Sequence, residues 1–364
     1  MSTATATRAQ AGQQQMRSRF REDTRQQEVI APALTLSSFG TAQNILLPQT
    51  GYLANLFINV TASVTIPPTP SGNWATFPPL PWALIRKLRV FTSETVEIVN
   101  CSGWGLFLAN LTDYQLTNMG ADPISYLSTN GRAALLTTQT GALSAGVFTF
   151  SFSVKVPIAT DDAMMLGLLN TQNNEVRVFL EITPANTGDL VSVGGTLPTV
   201  LSMVATANVE FYTIPPSGVD FPNQVFVSTL TEQILPVLNT GDWTATIPLG
   251  NIYTKILGVN EIPNAQINPN TINNISIFYA QAVRPYYETY YNHLVRNKFR
   301  YGFVLPDGAF CYDFTGGAGG PPQWDPRDFM NSSRQTDLKL DINYASITAG
   351  QQVRLLLRQL APIS

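Results

Sequence analysis

The feature that most limits what this chain can fold into is a two-residue alternation of apolar and polar side chains, sustained over whole strand lengths. In Phe57–Ile66, Ile58, Val60, Ala62, Val64 and Ile66 fall on one side and Asn59, Thr61, Ser63 and Thr65 on the other. Val147–Val156 repeats the pattern: Phe148, Phe150, Phe152, Val154 and Val156 oppose Thr149, Ser151, Ser153 and Lys155. Neighbouring side chains of a strand leave opposite faces, so this period marks strands with one face in a core. Val176, Val178, Leu180 and Ile182, set against Arg177, Phe179 and Glu181, predict another strand. Leu84–Phe91 and Met203–Tyr212 predict two more.

A second series follows a proline-containing break at Ile214–Pro222. Val225–Leu230, Trp243–Pro248, Ile272–Ala280, Ala309–Phe314, Asp337–Tyr344 and Gln352–Leu360 read as its strands. In the fifth of these, Leu338, Leu340, Ile342 and Tyr344 oppose Asp337, Lys339, Asp341 and Asn343; in the last, Val353, Leu355 and Leu357 point inward. Turn clusters such as Pro68–Gly72 and Gly316–Pro322 punctuate the strands. Two internal segments carry helical spacing instead. They are Ser102–Leu116, with Trp104, Phe107, Leu108, Leu111 and Tyr114, and Tyr286–Phe299, with Tyr287, Tyr290, Tyr291 and Leu294. Each half thus holds strands, one helix and more strands. The expected fold is all-β: two tandem eight-stranded jelly rolls, each with a short inserted helix, plus an N-terminal basic arm. The arm is residues 1–28, the first roll 29–214 and the second 215–364. The boundary rests on Pro215-Pro216-Ser217-Gly218, which cannot continue a central strand.

Charge narrows the function. Only 12% of the 364 residues are charged and 44% are hydrophobic, where an average soluble domain carries about 25% charge. General disorder and long helical arrays are excluded, and much of the polar surface is neutral Thr, Asn, Ser and Gln. A chain this poor in charge is expected to bury part of its outside against copies of itself. A net charge of −3 argues against sequence-specific nucleic-acid binding, which needs clustered Lys and Arg. No run of about 20 apolar residues is present to form a transmembrane helix, and the N-terminus lacks the apolar core of a secretory signal.

Catalytic chemistry is not visible. The single histidine, His293, excludes His-rich metal sites and zincin motifs. The two cysteines, Cys101 and Cys311, lie far apart and read as buried thiols. No phosphate-binding glycine loop, nucleophile elbow or CxxC is found. Asp161-Asp162 follows a strand and reads as a solvated turn rather than a Ca²⁺ ligand pair. Ser102-Gly103-Trp104-Gly105 reads as a helix start that buries an indole. Trp243, Tyr253 and Trp324 stand either as sugar-stacking aromatics or as core and interface anchors. The Tyr286–Tyr291 tract holds more tyrosines than one core needs. Tyr287, Tyr290 and Tyr291, with Trp324, are therefore candidates for subunit contacts. No enzyme activity, cofactor or metal is expected.

The arm differs from the rest. Arg8, Arg17, Arg19 and Arg21 occur before any acidic residue, among many glutamines, with helix expected over about Ala9–Gln27. Met16 and Phe20 are its large apolar residues. It reads either as a disordered tail or as an arm that orders on a neighbouring subunit or an anionic surface.

Taken together these segments resemble the double jelly-roll major capsid proteins of tailless, internal-membrane-containing phages, the tectivirus type. The likeness is carried by the Gln- and Arg-containing arm, by Gly51–Thr65 as the first long strand and by Ser102-Gly103-Trp104 with Asn110 at the first helix. It continues with Gly308–Asp313 as an aromatic–Cys strand and with the closing pair Asp337–Tyr344 and Gln352–Leu360. The Gly- and Pro-rich stretch Gly316–Pro322 departs from it. The resemblance implies a homotrimeric, pseudo-hexagonal capsomer that tiles an icosahedral virion shell around an internal membrane. It further implies contacts with neighbouring capsomers and other virion proteins, the arm against the membrane, and assembly in the host cytoplasm. The alternatives are a carbohydrate-binding β-sandwich protein and a virion spike.

Overall fold

The computed structural model describes residues 23–36, 39–66, 82–93, 96–114, 146–159, 168–171, 177–185, 199–213, 226–262, 265–266, 271–279, 283–302, 304–315 and 329–362. The first half contributes β1 (Gln26–Ile30), β2 (Gln43–Leu46), β3 (Tyr52–Ile66), β4 (Ile85–Thr92) and β5 (Glu97–Cys101). Helix α1 (Gly103–Tyr114) follows, then β6 (Gly146–Pro157), β7 (Val178–Pro184) and β8 (Thr199–Tyr212). The second half contributes β9 (Phe226–Pro236), β10 (Gly241–Thr246), β11 (Ile252–Ile262), β12 (Ile272–Tyr279) and β13 (Val283–Thr289). Helix α2 (Tyr290–Tyr301), β14 (Ala309–Asp313), β15 (Leu338–Tyr344) and β16 (Gln352–Pro362) complete it. Two-residue bridges such as Leu34–Thr35 and Met330–Asn331 extend the sheets.

In the first half one sheet runs β1-β8-β3-β6 and faces a second, β2-β7-β4-β5. In the second half the orders are β9-β16-β11-β14 and β10-β15-β12-β13. Each strand of the second half takes the sheet position of the strand eight labels earlier, and each helix follows the fifth strand of its half. This is a jelly roll, twice. The repeat holds strand for strand although sequence alone gives it only as element order.

Register explains the cores. On β3, Leu56, Ile58 and Val60 stand opposite Val156, Val154 and Phe152 of β6, and all six are buried. Fully burying such a side chain stabilises by about 1.5–3 kcal/mol. On β15, Leu338, Leu340, Ile342 and Tyr344 face the second core, as their alternation predicts. The two rolls also join. β5 lies parallel to β9, with Val99 opposite Leu230 and Asn100 opposite Thr231. The sheets β2-β7-β4-β5 and β9-β16-β11-β14 are therefore one continuous sheet. The first core runs on into the second roll through Leu257, Val259, Tyr301, Cys311 and Leu356.

Four expectations change. Gln26 and Gln27, expected in a helix, are paired to Tyr212 and Phe211 of β8, so the sheet begins inside the segment read as arm. Tyr286 and Tyr287 are not helical. They belong to β13, in register with Ile277 and Ser276, and the helix starts only at Tyr290. Val225–Leu230 extends to Pro236. Ile252–Ile262, which alternation does not reveal, is a central strand buried along nearly its whole length. The domain boundary at Ile214–Phe221 lies outside the described residues, as do Ala9–Glu22, Asp161-Asp162 and Gly316–Pro322.

Candidate functional site: a charged seam and two open edges

The chemistry of this chain is concentrated where helix α1 meets the second roll. Ser102 caps the helix, its Oγ accepting from Gly105 N–H at 3.0 Å. Gly105 lets the second roll approach closely: a Cβ would lie 2.8 Å from Leu356 Cδ2 and 2.9 Å from Glu232 Oε2, and those side-chain ends would have to shift. Gly103 is required by space, because backbone oxygen Trp82 O lies 2.4 Å from the Cβ position. Between them Trp104 goes into the core and stacks on Phe107, ring centroids 5.5 Å apart. The Ser-Gly-Trp-Gly sequence is thus a close-approach device as well as a helix start.

The second roll supplies the other half of the cap. Glu232 on β9 accepts from Ser102 N–H and from Ser102 Oγ, the latter at 3.1 Å. Arg354 on β16 binds Glu232 and places Nη2 2.8 Å from Glu261 of β11. At the far end of the helix, Lys255 Nζ lies 2.6 Å from Asp113 Oδ1 and 3.5 Å from Asp313 Oδ2. It also donates to Thr112 O at 3.2 Å. Arg358 completes Asp113, and Arg300 lies 3.2 Å from Asp313. The ion pairs form two clusters, Arg354 with Glu232 and Glu261, and Lys255, Arg300 and Arg358 with Asp113 and Asp313. Pairing matters because an unmatched charge at this depth costs several kcal/mol.

The ion pairs hold Lys255 and Asp313 in their charged forms. Burial alone would lower the Lys255 ammonium, but Asp113 and Asp313 raise it above its ordinary value. Burial alone would raise Asp313, but Lys255, Arg300 and the Thr315 hydrogen bonds hold it low. Beside it, burial and Asp313 push the Cys311 thiol up to about 12. Burial, then Glu232, raise Cys101. Both thiols are free, buried and protonated at neutral pH. Among the described residues no three His, Cys, Asp or Glu side chains converge as a metal ion requires. No helix among them is long and apolar enough to cross a membrane.

Sequence reasoning missed Asp113, Glu232, Lys255, Glu261, Arg354 and Arg358. The signal was available on β16, where Leu356 stands between Arg354 and Arg358 on the face read as outward. An apolar residue between two arginines marks a face covered by protein.

The singled-out aromatics separate. Tyr290 is 3% exposed and its hydroxyl donates to Ala309 O at 2.9 Å, which removes it from the free surface and corrects its reading as a contact residue. Tyr287 and Tyr291 are 56% and 74% exposed. Tyr253 is buried, donating to Pro248 O at 2.6 Å, and Trp243 Nε1 donates to Pro236 O at 3.0 Å. Tyr253 is therefore a core anchor and not a sugar platform. Trp324 and the arm arginines Arg8, Arg17, Arg19 and Arg21 lie outside the described residues. His293 is wholly buried. Its Nε2 accepts from Cys311 N–H at 3.1 Å, so the proton sits on Nδ1, 2.6 Å from Glu288 Oε1. Burial lowers its pKa, and the Glu288 contact opposes this only in part.

Among the strands that end the described sheets are β1 and β13. Ile30 on β1 is 69% exposed, and Phe299 on α2, beside β13, is 82% exposed.

No family model and no curated protein matches the chain. Solved virus structures do. The crystal structure of the STIV MCP, from Sulfolobus Turreted Icosahedral Virus, superposes with a TM-score of 0.65 at 11% identity, over 93% of this chain and 96% of that one. The PBCV-1 virus capsid gives 0.58 at 11% identity, over 93% of each chain. Major capsid protein P2 of bacteriophage PM2 gives 0.52 at 12% identity, over 93% of this chain and 98% of that one. At such identities the likeness establishes the fold: both rolls, in the same order, across nearly the whole chain.

Proposed function

We propose that this chain is a major capsid protein. It is structural and not an enzyme, and it trimerises into pseudo-hexagonal capsomers that tile an icosahedral virion shell around an internal membrane. The observation that carries the reading is the match of both rolls to capsid proteins over 93% of the chain, at TM-scores up to 0.65. Two further facts support it. The rolls are welded by one continuous sheet and by buried ion pairs, which suits a building block that must act as one rigid body. The outside is poor in charge and shows exposed Tyr287, Tyr291 and Phe299, the kind of anchors that self-association uses.

The arm, residues 1–22, is assigned the inner face of the shell. Arg8, Arg17, Arg19 and Arg21 give it local positive charge on a chain of net charge −3. At about 1 kcal/mol per basic residue near an anionic leaflet, contact with the membrane is weak per copy and strong across many copies. The test is purification of the full chain followed by sedimentation and electron microscopy. Trimers that assemble into shells are expected, and a chain that stays monomeric at micromolar concentration overturns the reading. Removing residues 1–22 leaves soluble trimers and impairs only membrane-containing particles; unimpaired particles make the arm dispensable.

A further inference from the structure

The seam holds one contact that differs in kind from its other ion pairs. Arg300, Arg354 and Arg358 carry guanidinium groups, which stay protonated and do not act as nucleophiles. Lys255 carries a primary amine, and of the described lysines it alone is buried. Its Nζ lies 2.6 Å from Asp113 Oδ1, 3.2 Å from Thr112 O and 3.5 Å from Asp313 Oδ2. The Tyr301 ring lies 5.8 Å away. The side chains of Lys255, Asp113 and Asp313 are 3%, 4% and 2% exposed. An amine, a carboxyl group touching it and a second carboxylate beside the amine, all shut away from water, are the parts of an amide-forming site.

We propose that Lys255 and Asp113 condense after folding into an isopeptide bond that staples helix α1 of the first roll to β11 of the second, with Asp313 relaying a proton. The step balances within the site. One proton passes from Nζ to Asp113 Oδ1 across the 2.6 Å contact, leaving a neutral amine and a neutral acid. Nζ then attacks Cγ of Asp113, and the carbonyl electron pair moves onto Oδ2. Arg358, bound to that oxygen, stabilises the charge it gains. Asp313 takes a second proton from Nζ and gives it to Oδ1. The Cγ–Oδ1 bond breaks, one water leaves, and Oδ2 returns as the amide oxygen. The amide N–H keeps Thr112 O as its acceptor.

Desolvation favours the product. A buried ammonium and carboxylate are both deprived of water, whereas the amide is neutral and a closed site holds little water to hydrolyse it. One cation and one anion vanish together, so Arg300, Arg358 and Asp313 keep the charge balance they had. Asp113 and Asp313 hold most of Lys255 as the ammonium, so the bond forms slowly in the folded chain. Once made, it closes a covalent ring between positions 142 apart in sequence, with β6 to β10 inside it.

The experiment is intact mass spectrometry of the full chain, denatured and reduced, at purification and again after incubation of the folded protein at neutral pH. The chain should become lighter by one water. Trypsin should then fail to cut after Lys255 and should release a branched peptide that joins it to the segment holding Asp113. Lys255→Arg keeps the positive charge without the amine and should keep its full mass. Asp313→Asn should slow bond formation at least about a hundredfold, and melting curves check that both variants fold. A native chain that keeps its full mass overturns the proposal without recourse to any variant. A water loss that persists in Lys255→Arg, or that maps elsewhere, as to Asp307-Gly308, overturns it too. Formation at the native rate in Asp313→Asn overturns the part given to Asp313. None of these results bears on the capsid reading, which sedimentation tests separately.

Discussion

Helices α1 and α2 occupy the same place in two copies of one fold, yet they are built from opposite materials. α1 reads GWGLFLANLTDY, with one charge and two glycines. α2 reads YYNHLVRNKFRY, with three basic residues besides its histidine. Their caps are alike. Ser102 Oγ receives Gly105 N–H at 3.0 Å, and Thr289 Oγ1 receives Asn292 N–H at 3.3 Å. What differs is the outside. α1 has a second roll on its back, so it takes apolar residues, admits glycine where the sheet approaches and confines its charge to a paired Asp113. α2 has water there within the single chain, so its last turn carries the exposed Lys298 and closes on Gly302, left-handed at φ 79°. Topology fixes where a helix goes; its neighbour decides its composition.

Breaking the covered side should have the largest effect. Arg354→Leu removes the cation between Glu232 and Glu261 and leaves two buried carboxylates unmatched. The expected loss is about 3–5 kcal/mol in chemical denaturation. Arg296→Leu on the open helix removes only a half-exposed partner of Glu288 and should cost about 0–1 kcal/mol. Equal losses would mean that the seam is no more buried than the surface.

The third helical position sharpens the same contrast. Gly105→Ala would gain roughly 1 kcal/mol of helix propensity, which masks the clash, so valine is the better probe. Gly105→Val should cost about 1–3 kcal/mol by pushing Leu356 and Glu232 off the helix. The matching change on α2, Asn292→Ala, should stay within about 0.5 kcal/mol. Thermal unfolding of the two variants measures the difference.

How much of this was legible depends on what covers each strand. β3, β6 and β15 have one face in a core and one outward, so Ile58, Phe152 and Leu340 announce themselves by alternation. β11 does not. It is covered on both faces, and Lys255, Asn260 and Glu261 sit among Tyr253, Ile256, Leu257 and Val259 with no period of two. The strand is central and reads as irregular because its polar residues are paired inside the protein, Lys255 with Asp113 across the seam, Glu261 with Arg354 and Asn260 with Tyr344, and not solvated. β13 was hidden differently. Tyr286, Tyr287, Tyr290 and Tyr291 fall at helical spacing although the first two are strand residues, and periodicity cannot see the cap at Thr289. Of the candidate contact residues, Tyr287 and Tyr291 are exposed. Tyr290 shares their composition and spacing, and only the position of Ala309 tells it apart. β1 was lost inside a Gln-rich segment because an edge strand open to water needs no apolar face.

A pH experiment separates the helices further, since only α2 carries a histidine. Burial holds the folded pKa of His293 below its ordinary 6.5, opposed in part by Glu288. The unfolded chain therefore takes up the proton first. The stability from this residue is fully present above about pH 6.5 and drains away as pH falls below it. The seam behaves differently. Asp313 is held below its ordinary 3.8, so its contribution persists until pH falls to that value and is lost beneath it. Acid should thus loosen α2 from Cys311 while the seam around α1 still holds. Hydrogen exchange between pH 7 and 5 should show protection falling at Tyr290–Tyr301 and Cys311 before it falls at Gly103–Tyr114. His293→Gln should flatten that dependence, whatever it costs in absolute stability, because glutamine has no proton to gain. Simultaneous loss at both helices would mean that the rolls answer to acid as one unit.

The cap on the open helix should give a smaller effect than the seam. Thr289→Ala deletes one hydroxyl that receives Asn292 N–H, and loss of such a cap costs about 1 kcal/mol. Ser102 has the same role toward Gly105 but also meets Glu232 Oε1 at 3.1 Å and Arg354 Nη1 at 3.2 Å. Ser102→Ala therefore removes a cap and two bonds to the second roll, and it leaves Glu232 and Arg354 short of a partner inside the seam. The two variants should differ in kind as well as size. Thr289→Ala lowers the melting temperature with the denaturant slope unchanged, since the chain still unfolds as one body. Ser102→Ala loosens the junction between the rolls, and a lower slope or a second transition reports it. Indistinguishable curves from the two alanines would mean that the Ser102 bonds to Glu232 and Arg354 do not couple the rolls, leaving that task to the β5–β9 pairing and the apolar contacts of Leu356.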